Sequence, residues 1–312
     1  MSKCSYKISG GTTMSVVNSV KAKLKNRAIK EKRTFQEVLT IYGLERALYR
    51  LSISSYSKHY ILKGGILLYA MYHGDFTRGT ADVDLLGQQI NSDIDTIKKS
   101  FIEIFSIQYP EDGILYDVSS LKATKITEFK KYPGINIMIE GYLDRTKITV
   151  HIDIGFGDVV YPEISTMEYP TLLDQQAPIL QTYSKESIIA EKFQAIVSLG
   201  NANSRMKDFY DIYALLNSFN FQSDILAQAI KETFDNRKTS FDIITAFEDD
   251  FITDQYRRRM WASFLKAKNV LSVIELEEVI SKIKRFLSPL IEMITQSTTQ
   301  SKIWNHNIYE WK

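Results

Sequence analysis

Residues 61–87 read ILKGGILLYAMYHGDFTRGTADVDLLG, and the reading of this stretch decides the fold. A Lys-Gly-Gly turn at 63–65 precedes an apolar helix, and Arg78, Thr80, Asp82 and Asp84 follow it. The segment Thr-Ala-Asp-Val-Asp-Leu-Leu suits a β-strand. Strand side chains alternate, so Thr80, Asp82 and Asp84 share one face while Ala81, Val83 and Leu85 take the other. Two carboxylates on one face repel each other unless something positive lies between them. A divalent cation suits that place, magnesium with phosphate oxygens being the usual occupant of such oxygen-rich sites. The two glycines let backbone N–H groups approach a phosphate closely, because no Cβ intervenes. Surface strands often carry alternating acids that bind nothing. Here Leu85, Leu86 and the preceding apolar helix mark a central strand, where unpartnered carboxylates are costly.

The 312 residues, 44% of them hydrophobic, suffice for a packed core in one large domain or two small ones. A net charge of +2 does not announce a nucleic-acid binder, although a local basic patch is compatible with it. Cys4 is the single cysteine, so no disulfide framework or cysteine-based zinc site forms within one chain. The first twenty or so residues lack the apolar run of a signal peptide and no run reaches spanning length, so a cytoplasmic location is expected.

Residues 1–13 read as a disordered tail, 14–180 as N-terminal helices plus the core that holds the acids, and 181–312 as a helical domain completing the cleft. From Ser15 to about Ser52 the pattern is helical, with Val38, Leu39, Tyr42, Leu44, Ala47, Leu48 and Leu51 returning at spacings of three and four. The middle, from about 79 to 161, is strand-rich, and from Ser184 onward the chain is helical again. Helices, then a small mixed sheet, then a helical half describe an α+β protein.

Within the strand KITVHIDIG (147–155), Ile148, Val150, Ile152 and Ile154 form a core face, and His151 and Asp153 share the other. If this strand pairs beside the one carrying Asp82 and Asp84, three carboxylates converge. His151 reads as a neighbour rather than a ligand, since no second histidine sits at metal-ligand spacing.

In SKESIIAEKFQAIVSLG (184–200), Ser184 caps a helix and Gly200 ends it. Lys192 falls inside the apolar stripe of Ile188, Ile189, Phe193, Ile196 and Leu199. Either its stem packs while the ammonium reaches water, or the ammonium is aimed at a phosphate or carboxylate in a cleft. On the second reading Lys192→Ala costs activity without costing stability. In RMKDFYDIYALL (205–216), Asp208 and Asp211 stand three apart at a helix start, where acids are favoured on dipole grounds alone. Arg205 and Lys207 either pair with them or face a polyanion.

In this order ERALYRLSISSY, ILKGGILLYAMY, RGTADVDLLG, IIAEKFQAIVSLG and RMKDFYDIYAL resemble the AbiEii/AbiGii nucleotidyltransferase toxins of the polymerase-β-like superfamily, over residues 15 to 290 or so. FEDDFITDQYRRRMWASFLKAKN is similar to the family's closing region. The resemblance implies that Gly64 and Gly65 hold a triphosphate, with Lys63 contacting phosphate. It implies that Arg78 and Thr80 fill the Arg-x-Ser/Thr positions and that Asp82 and Asp84 hold magnesium or manganese. Lys192 matches the lysine of the Glu-Lys helix, and Asp208 and Asp211 the acids of the Asp-x-x-Asp motif. For the third superfamily carboxylate, strand alternation favours Asp153, and Asp158 competes by proximity. Gly65 departs from the superfamily's Gly-Ser pair, which removes a hydroxyl but not the backbone cradle.

The implied chemistry is transfer of a nucleotide from a Mg-NTP to an acceptor with release of pyrophosphate. Asp153 or Asp211 takes the acceptor proton, and Lys192 neutralises phosphate. RNA, in particular the tRNA 3′ end, is the implied acceptor, with protein or a small molecule as other classes. Lys21–Lys32 and Arg257–Arg259 either hold an RNA backbone or are solvated helix faces. The implied setting is a toxin–antitoxin or abortive-infection system for phage defence, with a separately encoded antitoxin that need not bind stably. Two other readings use the same acids. A nucleotide-binding regulatory module without turnover gives no reason for retaining Asp82, Asp84, Lys192 and Asp211 together. A metal-dependent nuclease gives no role to the Gly-Gly turn.

Overall fold

A capping box at Thr34 divides the helical pattern of residues 15–52 into two helices, α1 (Met14–Glu31) and α2 (Phe35–Ser52). The Thr34 hydroxyl accepts from the Glu37 backbone N–H at 3.2 Å, and the Glu37 carboxylate accepts from the Thr34 N–H at 2.7 Å. Lys32, in the left-handed region at φ 54°, ends α1. In this computed structural model residues 14–75, 82–126, 134–268 and 274–312 are described. The tail expected over 1–13, with Cys4, lies outside them. The chain divides into two compact units. The first extends to Gly74, includes the strands up to Gly157 and takes in Thr166–Thr182; the second takes in Asp158–Ser165 and Tyr183–Lys312.

The first unit is built on β1 (Tyr60–Lys63), α3 (Gly64–Met71), β2 (Asp82–Gly87), α4 (Ile94–Ser106), β3 (Ile114–Ile126), β4 (Gly134–Leu143), β5 (Thr146–Phe156), β6 (Ser165–Glu168) and β7 (Ile179–Thr182). The sheet is mixed as expected, and larger than expected: seven strands in the order β3-β4-β5-β2-β1-β7-β6. The strand-rich middle also contains a helix, α4, capped by Asp93 and burying Ile97, Phe101, Ile104 and Phe105. Between β4 and β5 the hairpin register runs unbroken from Leu143 opposite Thr146 to Gly134 opposite Gly155. β2 joins β5 in parallel, with Val83 opposite Ile152 and Leu85 opposite Ile154, all four buried. A slip of one residue would turn that apolar set outward, so burial fixes the register. On the same side α2 meets β5 at Gly43, where a Cβ would stand 2.6 Å from Ile148 Cγ2.

Three charged residues of α2, Glu45, Arg46 and Arg50, are as buried as its apolar ones. Arg50 donates to both oxygens of Asp112, at 2.6 and 3.3 Å, and to the Ile114 carbonyl at 3.1 Å. Arg46 donates to the Gln176 carbonyl at 2.9 Å, and Glu45 accepts from the Leu172 N–H at 2.7 Å. The Arg46 and Glu45 bonds tie the segment between β6 and β7 to the helix. The Arg50–Asp112 pair satisfies two charges that would otherwise make burial prohibitive.

The second unit contains α5 (Lys185–Leu199), α6 (Met206–Ser218), α7 (Ser223–Asn236), α8 (Asp249–Thr253), α9 (Gln255–Ala267) and α10 (Leu276–Thr295). A small sheet of β8 (Phe221–Gln222), β9 (Ile303–Asn305) and β10 (Glu310–Trp311) adds to the expected helices. No helix among the described residues is long and apolar enough to cross a membrane.

Burial pushes the Glu45 carboxyl up to about 7, against the opposing pull of Arg46. A raised carboxyl value means that the folded chain holds a proton the unfolded chain has released. The stability this supplies is full below the unfolded value near 4.5 and is lost as pH rises through 7. Thermal and urea unfolding at pH 5 and pH 8 should therefore show wild type losing about 2 kcal/mol more than Glu45→Gln across that interval. Equal losses would show that Glu45 is ionised throughout.

Candidate active site

Strand register gathers the acids of the first unit. Asp84 of β2 stands opposite Asp153 of parallel β5 and opposite Lys63 of antiparallel β1. Asp153 stands in turn opposite Asn136 of β4. Residues in register share a sheet face, so Lys63, Asp84, Asp153 and Asn136 form one row across four strands. Two residues away, Asp82, His151 and Met138 form a second row on the same face. Val83, Ile137, Ile152 and Ile154 bury the opposite face, leaving Asp84 and Asp153 half-buried and Asp82 exposed.

The junction of β1 with α3 closes onto this row. Lys63 is extended, at φ −142° and ψ −171°, and Gly64 turns the chain through φ +72° into the helix. A Cβ on Gly64 would stand 2.6 Å from Asp84 Cγ, so any other residue would displace the carboxylate. The glycine thus permits both the turn and the close approach of a helix N-terminus to the acids. Gly65 is buried in the first turn of α3. Arg78 and Thr80 lie outside the described residues.

Asn136 donates from Nδ2 to Asp153 Oδ1 at 2.8 Å. The sequence reading gave this residue no role. Its signal was available only through pairing, because the β4–β5 hairpin register sets Asn136 against Asp153. Asp158, the competing third carboxylate, lies beyond the end of β5 and belongs to the second unit. There Arg237 Nη2 donates to its Oδ1 at 2.8 Å and stands 3.3 Å from Glu191.

Among the described residues no three His, Cys, Asp or Glu side chains gather closely enough to make a metal cage. Asp84 with Asp153 offers a different arrangement. Magnesium is commonly held by one or two carboxylates and completes its octahedron with substrate phosphates and water. The donor chemistry fits that mode.

In the second unit Lys192 is 12% exposed and stands 2.6 Å from Asp211 Oδ2 and 3.2 Å from Asp208 Oδ1. Both carboxylates are wholly buried, and Arg205 Nε reaches Asp208 Oδ2 at 2.8 Å. Ser184 caps α5, accepting from the Ser187 N–H at 3.0 Å, and Gly200 ends it at φ 48°. Asp208 lies in the first turn of α6 without capping it, since the cap position is Arg205 and makes no side-chain bond. Lys192 is therefore held between acids, and its stem does not carry the ammonium out to bulk water.

The sequence matches the family model described as nucleotidyl transferase AbiEii toxin, type IV TA system, over residues 46–279. No curated protein matches it. Among solved structures, a candidate nucleotidyltransferase from H. pylori is 15% identical with a TM-score of 0.43, covering 83% of this chain and 96% of that one. JHP933 from Helicobacter pylori is 14% identical with a TM-score of 0.41, covering 92% and 96%.

The geometry around Lys192 reverses the expectation that its loss spares the fold. Lys192→Met removes the cation between two buried acids and should cost about 3 kcal/mol in urea unfolding. Adding Asp211→Asn should recover a measurable part of that loss. A single variant as stable as wild type would show that the pair contributes nothing net.

Proposed function

The chain belongs to the AbiEii family of nucleotidyl transferase toxins of type IV toxin–antitoxin systems, and we propose that it transfers a nucleotide from a magnesium-bound NTP to a hydroxyl of RNA, the tRNA 3′ end in particular. The observation that carries this reading is the row Lys63–Asp84–Asp153, with Gly64 closed against Asp84. Acids paired across adjacent strands, beside a lysine and a glycine-started helix, provide oxygen ligands and phosphate donors together.

In this reading Lys63 and the first N–H groups of α3, at Gly64 and Gly65, bind and orient the triphosphate. Arg78 and Thr80 join them on the family's pattern. Asp84 and Asp153 would hold magnesium or manganese, and Asp82 adds a negative charge in the next row of the same face. When bound, the cation would supply positive charge to offset that which develops on the leaving pyrophosphate. Asp153, half-buried on the open side of the strand, accepts the proton of the acceptor hydroxyl. The hydroxyl oxygen then bonds to the α-phosphorus as the bond to pyrophosphate breaks. In-line positioning supplies much of the remaining acceleration. In the second unit Asp208 and Asp211 fix the place of the Lys192 ammonium, and that pairing spares Asp211 the role of base. A separately encoded antitoxin restrains the activity, and the cytoplasm is its site of action.

The test is incorporation of each α-³²P-labelled NTP, with magnesium, into total tRNA and into protein. Label is expected in RNA, and Asp84→Ala should lower it by a hundredfold or more, on the order of losing one transition-state contact. Label confined to protein would overturn the RNA acceptor. Shortened RNA without any need for NTP would overturn transfer in favour of a nuclease. Intact RNA and NTP without label would favour a binding module.

A further inference from the structure

Asp84 and Asp153 face each other across one strand pair, yet their outer neighbours differ in kind. Beside Asp84, on β1, stands a cation, Lys63. Beside Asp153, on β4, stands a neutral amide, Asn136, whose Nδ2 donates to Oδ1 at 2.8 Å. We propose that Asn136 is a positioning residue, which orients the Asp153 carboxylate so that Oδ2 is the oxygen presented to a divalent cation and to the acceptor hydroxyl. This rests on the nucleotidyltransferase reading of the row and assigns a residue that reading does not use.

The argument is geometric and electrostatic. A carboxylate on a half-buried strand face rotates about its terminal bond, and that torsion has no sharp preference. A hydrogen bond to one oxygen fixes the plane, and with it the direction of the second oxygen. An amide does this without a charge. A lysine or arginine at 136 would also orient the carboxylate but would compete with a cation for it. A carboxylate there would add a further repelling charge to the row. The backbone holds the amide firmly, because the β4–β5 register is continuous on both sides of the pair and Ile135, Ile137, Ile152 and Ile154 are all buried. Partners of this kind behind a metal ligand typically change metal affinity by roughly 10–100-fold when removed.

The test compares the full chain with Asn136→Leu, which keeps the branched shape and removes the donor, and with Asn136→Ser, which supplies a shorter donor. Mn²⁺ alone is titrated and followed by its EPR signal, thermal unfolding is recorded, and NTP transfer is resolved into kcat and KM. Asn136→Leu should bind Mn²⁺ about tenfold more weakly or worse. Its kcat should fall by a similar factor with KM for NTP within about twofold, at unchanged Tm, and Asn136→Ser should regain part of both. Unaltered Mn²⁺ affinity in Asn136→Leu, where Asp84→Asn has lost it, would overturn the role of Asn136 alone. A fall in Tm that accounts for every change, with no recovery in Asn136→Ser, would make Asn136 merely structural and overturn it too. Equal Mn²⁺ binding by wild type and Asp84→Asn would instead overturn the reading of the row itself, and this role with it.

Discussion

Two carboxylates set directly opposite each other on neighbouring strands are the constraint around which the first unit is organised. Like charges so placed destabilise a sheet, and the register that opposes Asp84 to Asp153 has no freedom to relieve them. Val83, Leu85, Ile152 and Ile154 are buried on the reverse face, and a one-residue slip would expose them all. The apolar core therefore enforces the repulsion, and the residues around the pair answer it. Lys63 adds a positive charge at the β1 edge of the row, and Asn136 adds a neutral donor at the β4 edge. Gly64 leaves the carboxylate its space while bringing a helix start against it. An arrangement that concentrates negative charge and then leaves it half open suits a site that a cation and a polyphosphate complete.

The second unit handles its acids in the opposite way. Asp208 and Asp211 are wholly buried, and Lys192 and Arg205 stand within ion-pair distance of them. Removing one member of such a buried set leaves an uncompensated charge, which is why the ammonium of Lys192 bears on stability as well as on chemistry. A similar economy operates under α2, where Arg50 and Asp112 satisfy each other and Arg46 and Glu45 hold the segment before β7. Charge is neutralised where the chain must stay packed, and negative charge is concentrated on the half-buried pair of Asp84 and Asp153.

Much of this was legible in the residues themselves. Alternation in 147–155 identified both faces of β5, and the Asp-Val-Asp spacing put Asp82 and Asp84 on one side of β2. Ser184 and Gly200 marked the ends of α5 because capping chemistry is local. What escaped the sequence depends on pairing between distant segments. Asn136 is an ordinary strand residue until the hairpin sets it against Asp153. Lys192 looks like an oddity in an apolar stripe until α6 brings two acids to it. The helix α4 was legible from Asp93 and the spacing of Ile97, Phe101, Ile104 and Phe105, but the strands around it dominated the pattern. Glu45, Arg46 and Arg50 show no sign of burial in sequence, because only the packing of α2 shows that its polar side is enclosed.

The central claim is that the Asp84–Asp153 pair is the cation and triphosphate site of the first unit. A crystal structure of the full chain with Mn²⁺ and a non-hydrolysable NTP, with the metal located by its anomalous signal, tests it most directly. The account predicts manganese bound by Asp84 and Asp153 oxygens, with triphosphate at Lys63 and the start of α3. Manganese held by Asp158, or by Asp208 and Asp211, with Asp84 and Asp153 free of metal, would contradict it.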